Sequence, residues 1–292
     1  MNKKTTANII KAKVNKWLKS ITDEPLREEV HDSLLVSGGC IASLLTGEDV
    51  NDYDIYIQDM DVLVRLAEYY DVEAFDGRKK DEYIKAIGDE PAGEEDSEDL
   101  RDYRFENTFL RTLKPDQVKL MVAGHGKAIK HEGPESDLPP FRPVFISQNA
   151  ISLSDDIQIV TRFSGNAEEI HKNYDFIHAT NYFTMVNGLE LNKDAVTSLL
   201  TKTLYYQGSL YPLTSIIRMK KFILRKWRIN AGEILKILFQ VSRLDLTDID
   251  VLEEQLIGVD VAYFSSLIAI LRDDPKGITE EFLAEEIEKL FN

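Results

Sequence analysis

The sequence predicts a mixed α/β domain followed by a helical one, and three observations carry this. Short apolar runs of strand length alternate with helix-spaced segments up to about residue 180. Beyond Leu191 the apolar spacing turns helical almost throughout. Near the amino terminus two adjacent glycines, Gly38 and Gly39, punctuate a strand-to-helix transition. With 292 residues the chain divides into a first domain over 1–185, carrying an acidic insertion around 71–100, and a helical second domain over 186–292.

Taken in order, Ile9, Ile10, Val14, Trp17 and Leu18 recur at helical spacing and predict an amphipathic helix. A short helix over about 25–31 follows, then a buried strand at Leu34–Val36 that runs into the glycines. Ile41–Leu45 reads as a helix stopped by Gly47, and Asp54–Ile57 as a strand in which Tyr53, Ile55 and Ile57 alternate. Between Asp71 and Asp99 stand twelve acidic and four basic residues interrupted by Gly77, Gly88, Pro91 and Gly93, so this stretch is expected to be a solvated insertion or mobile loop. Strands are expected at 118–123, 144–146 and 157–163, with SLSDD (152–156) as the turn before the last of these. A helix over 166–172 and a returning strand over 174–178 complete the domain. The second domain contains four helical runs, beginning near residues 191, 212, 231 and 278. Pro212 suits the first turn of its helix.

The balance of 35 basic against 51 acidic residues gives a formal charge of −16, which repels a nucleic-acid backbone unless a local basic patch overrides it. One cysteine, Cys40, excludes an internal disulfide and a cysteine-rich zinc site. The first twenty residues carry charges where a signal peptide needs an apolar stretch, and no run approaches the length of a membrane span, so a soluble cytoplasmic protein is expected.

Asp52 and Asp54 are two residues apart at the start of a strand, so they share a face if the extended geometry includes Asp52. Paired carboxylates repel, and with oxygen donors but few histidine or cysteine partners they suit a hard cation such as magnesium. In an acidic chain the same pair also reads as a solvated turn. The upstream glycines favour the first reading. Successive backbone N–H groups at a helix start make an anion cradle, so Gly38 and Gly39 could hold a polyphosphate whose metal the aspartates supply. Cys40 fits a small buried position in that turn.

The stretch GGCIASLLTG (38–47) followed by DYD (52–54) resembles the head of the DNA polymerase beta-like nucleotidyltransferase superfamily, nearest its tRNA CCA-adding and bacterial poly(A) polymerase branch. The resemblance implies a nucleotidyltransferase head, a helical domain that completes the nucleotide cleft, and transfer of a nucleoside monophosphate from a nucleoside triphosphate to a hydroxyl. Gly38 and Gly39 would hold the triphosphate and Asp52 and Asp54 two magnesium ions. Cys40 stands where many relatives carry a phosphate-touching serine. Ala42 and Ser43 replace an arginine and an aspartate usual in that branch. The superfamily adds a third carboxylate from a later strand; Asp175 is the candidate, with Asp155 and Asp156 as competitors. The acceptor is left open between an RNA or tRNA end and, in a toxin-like enzyme, a protein or tRNA; a non-catalytic nucleotide-binding protein on the same scaffold is the alternative.

Six basic residues lie between Arg218 and Arg228. Arg218, Lys221, Arg225 and Arg228 can share one helical face while Ile216, Met219, Ile223 and Trp227 share another. The stretch reads as a wall of the nucleotide cleft, Arg218 and Lys221 reaching the triphosphate and Lys202 adding a contact, or else as a solvated face paired with acidic residues. His171 and His178 flank Asp175 and could line a cleft or fill the core. Tyr205, Tyr206 and Tyr211 could stack on a base or pack inside.

Overall fold

The computed structural model describes residues 2–91, 97–122, 126–246 and 248–255. The chain divides into two compact units, Met1–His171 with Ala179–Asn192 and Lys172–His178 with Lys193–Asn292. His125 and the run at 278–291 lie outside the described residues.

The first unit opens on helices α1 (Lys3–Leu18) and α2 (Glu24–Ser33). Their first turns are capped by Asn2, which accepts from the Thr5 amide at 2.8 Å, and Asp23, which accepts from the Leu26 amide at 3.0 Å. Strand β1 (Leu34–Ser37) is buried at all four positions. Gly38 then turns the chain into α3 (Gly39–Thr46), which Gly47 ends in the left-handed conformation at φ 77°. Strand β2 (Tyr53–Ile57) leads to α4 (Met60–Tyr69), capped by Asp59. The sequence reading assigns nothing to α4, although Met60, Leu63 and Ala67 recur there at helical spacing on its buried side.

The acidic stretch is not a solvated loop throughout. It contains β3 (Ala74–Asp76) and α5 (Lys80–Ile87), and α6 (Glu98–Arg111) begins at its end. Strand β3 pairs with β4 (Val118–Leu120). Its aromatic residues give the stretch a core that a charge count conceals: Phe75 lies edge-on to Tyr83 at 5.0 Å and to Phe109 at 5.6 Å. Asp76 is buried, yet the hydrogen bonds and charge of Arg78 outweigh that burial and hold its carboxyl below the ordinary range.

The remaining strands are β5 (Lys127–Ala128), β6 (Pro143–Ser147), β7 (Ala150–Leu153), β8 (Ile157–Val160), β9 (Tyr182–Thr184) and β10 (Gly188–Glu190), with the short helix α7 (Ala167–His171) between β8 and β9. Eight strands form one mixed sheet in the order β10-β9-β1-β2-β8-β7-β6-β5. Strands β2 and β8 run parallel and the other described pairs in this sheet antiparallel. The turn at SLSDD falls where the sequence places it, with Asp155 and Asp156 at φ 58° and 55°. Ile55, Ile57, Ile157 and Ile159 from β2 and β8 form the middle of the core with Trp17, Leu63 and Leu66. This α/β layer is the expected one, with one displaced element. Residues 174–178 do not form a strand; Ile177–Ala179 is a 3-10 turn, and the returning strand is β9. The register explains the shift, because Phe183 and Tyr182 of β9, rather than the YDF run, pair with Val36 and Ser37.

The second unit holds α8 (Lys193–Thr201), β11 (Thr203–Leu204), α9 (Pro212–Leu224), β12 (Arg228–Ile229), α10 (Ala231–Val241) and α11 (Ile249–Gln255). It is helical, apart from a two-stranded parallel ribbon of β11 and β12. Pro212 occupies the first turn of α9. The basic helix ends sooner than its charge spacing predicts. After Leu224 the chain turns through Lys226 at φ 68°, and Trp227 folds back onto Phe222 at 5.2 Å. Burial of the indole wins over another helical turn, so Arg225 and Arg228 do not continue the face of Arg218 and Lys221. Among the described residues no helix is long and apolar enough to cross a membrane.

Packing of the acidic stretch is testable at Phe109, which is 4% exposed. Phe109→Ala is expected to cost about 3–5 kcal/mol in chemical denaturation, as for a buried aromatic. A loss under about 0.5 kcal/mol, the range of surface substitutions, would return the stretch to a solvated loop.

Candidate functional site

The pairing of β1 with β2 sets the site. Ser37, the last residue of β1, lies directly opposite Asp54. The glycine turn that follows Ser37 is therefore beside the entry of β2, where Asp52 and Asp54 stand. Strand β2 begins at Tyr53, whose amide donates to the Asp156 carbonyl at 2.8 Å, and Asp52 is the residue just before it. Tyr53, Ile55 and Ile57 are buried while Asp54 is half-buried and Asp52 exposed.

Gly38 adopts φ 91° and ψ −151°, a region open essentially to glycine alone. Its amide is already used, donating to the Ala179 carbonyl at 3.2 Å. The cradle is therefore the first turn of α3, from Gly39 onward, which has no side-chain cap. At Gly39 a Cβ would meet nothing within 4 Å, so this face of the turn is open. The Cys40 side chain points inward, its thiol donating to the Ser37 carbonyl at 3.6 Å. Burial pushes that thiol far up, and the charges of Asp54 and then Asp52 add to the rise. Cys40 is thus a packed residue whose backbone amide is what it can offer a phosphate.

Both carboxylates therefore act on one neighbour, the residue at the start of α3. Asp52 is itself held above the ordinary carboxylate range, first by desolvation and then by the charge of Asp156 across the parallel pair of β2 and β8. Asp156 in turn meets Lys13 at 3.4 Å. A carboxylate raised by partial desolvation and a like charge gains from a cation. The donor set is oxygen, which suits magnesium, an ion commonly held by one or two carboxylates together with substrate phosphates. Among the described residues no group of three or more His, Cys, Asp or Glu could by itself hold a metal ion.

Asp175 belongs to the second unit. It is 8% exposed, accepts from the Phe176 amide at 3.0 Å and is ion-paired with Arg218 Nη1 at 2.9 Å. Arg218, read above as a phosphate contact, thus spends part of its guanidinium on Asp175, while Lys221 is exposed on α9. Lys202 lies at φ 47° after α8, its carbonyl accepting from the Arg228 amide at 2.7 Å. Tyr206 and Tyr211 are buried, and Tyr205 is 37% exposed. His178 is a core residue, its ring 4.5 Å from Phe222 and 4.9 Å from Trp227.

Ser37 was not among the residues singled out by sequence. Its hydroxyl is buried and contacts His171 Nε2 at 2.8 Å and the Asn181 carbonyl at 2.9 Å. The one local signal was a polar residue ending the apolar run LLVS.

Fold and site together define an α/β protein in which an open glycine turn stands beside a carboxylate pair. The chain belongs to the Gabija anti-defense 2 (Gad2) family, whose model matches residues 8–202. Among solved structures it is similar to a Thermotoga maritima CCA-adding enzyme complexed with tRNA, at 15% identity and a TM-score of 0.35 over 95% of this chain and 59% of that one. It is also similar to an apo tRNA-processing enzyme, at 12% identity and a TM-score of 0.37 over 83% and 50%. A third is a tRNA nucleotidyltransferase with a primer tRNA and an incoming ATP analogue, at 14% identity and a TM-score of 0.32 over 74% and 48%. The chain spans about half the length of these structures. No curated protein matches it significantly.

His178 gives a pH prediction. Burial lowers its pKa to about 4, against the opposing pull of the Asp175 charge. The folded state then binds fewer protons than the unfolded state between about pH 6.5 and 4, so stability falls as the solution is acidified through that window. Each such histidine adds a slope of up to about 1.4 kcal/mol per pH unit. His171, lowered to about 4 by burial, has the same sign. His178→Phe should keep the aromatic packing and make the loss of stability between pH 7 and 4.5 shallower in urea titrations. An unchanged acid limb would show that His178 is protonated in the fold.

Proposed function

We propose that this protein is a magnesium-dependent nucleotidyltransferase that moves a nucleoside monophosphate from a nucleoside triphosphate to a hydroxyl, and that this transfer serves the anti-defence role its family is named for. The observation that carries the reading is the cross-strand pairing of Ser37 with Asp54, which sets the uncapped first turn of α3 beside Asp52 and Asp54. The order of the glycine turn, apolar helix and paired aspartates supports it from the sequence.

In this reading the amides from Gly39 onward receive the triphosphate, and the open face at Gly39 leaves room for it. Asp52 and Asp54 would hold magnesium, which when bound would lower the pKa of the acceptor hydroxyl and stabilise the departing pyrophosphate oxygens. The hydroxyl oxygen forms a bond to the α-phosphorus as the bond to the pyrophosphate oxygen breaks. Asp175 and Arg218 act as one pair. Within the second unit the arginine restrains the carboxylate and keeps its remaining donors for phosphate. Lys202 and Lys221 add positive charge to that unit. The formal charge of −16 favours a protein hydroxyl over an RNA end as the acceptor.

Incubation with each nucleoside triphosphate labelled at the α-phosphate, magnesium and a cell extract containing the Gabija proteins tests this directly. Label is expected to move to one macromolecular product. Asp52→Asn with Asp54→Asn should cut that transfer by at least about a hundredfold, the order expected when a catalytic electrostatic group is lost, with little change in unfolding in the absence of metal. Full transfer by the double variant would refute the assigned chemistry.

A further inference from the structure

We propose that His171 is a positioning residue for the glycine turn, acting through Ser37; the proposal rests on the transferase reading and concerns how that site is held in shape. Ser37 is fully buried, and two backbone carbonyls face its hydroxyl, Asn181 at 2.9 Å and Ala179 at 3.3 Å. A carbonyl only accepts, so the single hydroxyl proton is spent on these groups. The third neighbour, His171 Nε2 at 2.8 Å, therefore donates its own proton to the Ser37 oxygen. This fixes the histidine as the tautomer with hydrogen on Nε2.

The histidine is itself held. It ends α7, whose start is closed reciprocally: Asn166 Oδ1 accepts from the Glu168 and Glu169 amides at 2.9 and 3.1 Å, and the Asn166 amide donates to Glu169 at 2.8 Å. Its ring meets Tyr182 edge-on at 5.9 Å, and Tyr182 is the cross-strand partner of Ser37 in β9. The imidazole thus reaches Ser37 from a capped helix and rests on a residue of the sheet.

The arrangement also closes a ring of chain. His171 and Ala179 flank residues 172–178, and both reach Ser37; the Ala179 carbonyl accepts in addition from the Gly38 amide at 3.2 Å. Seven residues therefore leave and return at one side chain. The same side chain precedes Gly38, whose backbone tolerates little but glycine. Loss of the Nε2 donor leaves the Ser37 oxygen buried with an unfilled lone pair and frees one end of the ring. The turn that follows loses its fixed starting point.

The test compares His171→Ala with His171→Gln, whose side-chain amide can place an N–H at nearly the same position. Hydrogen exchange at the Gly38 and Ile177 amides is read without nucleotide, and binding of a non-hydrolysable nucleoside triphosphate with magnesium is read by calorimetry. His171→Ala is expected to speed exchange at Gly38 and weaken binding, each about tenfold, the scale of one buried hydrogen bond left unmade. His171→Gln should recover most of both. Ser37→Ala removes the group that His171 holds and should match His171→Ala, which keeps the test alive where the alanine variant at 171 folds poorly. Wild-type affinity in both alanine variants, or no recovery with glutamine, would overturn the positioning role while leaving the transferase reading in place. Failure of the wild-type protein to bind any triphosphate would overturn both.

Discussion

The candidate site depends on a single register, Ser37 opposite Asp54. Strand pairing has a period of two, so a slip of one residue between β1 and β2 would send Asp54 to the other face and bring a buried neighbour to the turn. The register is enforced from both sides. Leu34, Leu35 and Val36 are fully buried in β1, as are Ile55 and Ile57 in β2, so any slip exposes apolar side chains at the centre of the sheet. Beyond Ser37, Gly38 supplies the one backbone conformation that turns the chain into α3, and Gly47 ends that helix so that the chain returns along β1. The site is thus a consequence of how the core packs.

That geometry has an electrostatic cost. Asp52, though exposed, is raised by partial desolvation and by Asp156, while Cys40 lies in the field of both Asp52 and Asp54. A chain with a formal charge of −16 does little to relieve such a field from a distance. Lys13 meets Asp156, at the edge of the group, and Arg218 is engaged with Asp175 in the second unit. A cation bound with a polyphosphate would offset the repulsion that the register imposes, which is the physical link between the fold and the proposed chemistry.

What was legible in the sequence was what local pattern determines. The run LLVS, the two glycines, the helix stopped by Gly47 and the alternation of Tyr53, Ile55 and Ile57 all appear where spacing puts them, because each is set by residues within a few positions of one another. The failures share a different cause. The YDF run has strand-like composition, but its place beside Ser37 is taken by Tyr182, and a contest between two segments for one partner is invisible in either alone. The charge count over 71–99 hid Phe75 and Tyr83, and Phe109, the second ring that Phe75 meets, lies outside that stretch. The basic face beyond Leu224 was broken by Trp227 seeking Phe222 and His178. His171 and Ser37 stand 134 positions apart, so no local spacing announces their hydrogen bond.

The central claim is that the turn after Ser37 and the start of β2 form one nucleotide and metal site. Paramagnetic broadening of backbone amide signals by manganese, added with a non-hydrolysable nucleoside triphosphate, tests it without any knowledge of the acceptor. The account predicts that Gly39, Cys40 and residues 52–55 broaden first, at substoichiometric manganese, and only when the triphosphate is present. Broadening confined to the acidic stretch over 71–99, with the amides of Gly39 and Asp54 left sharp, would contradict it.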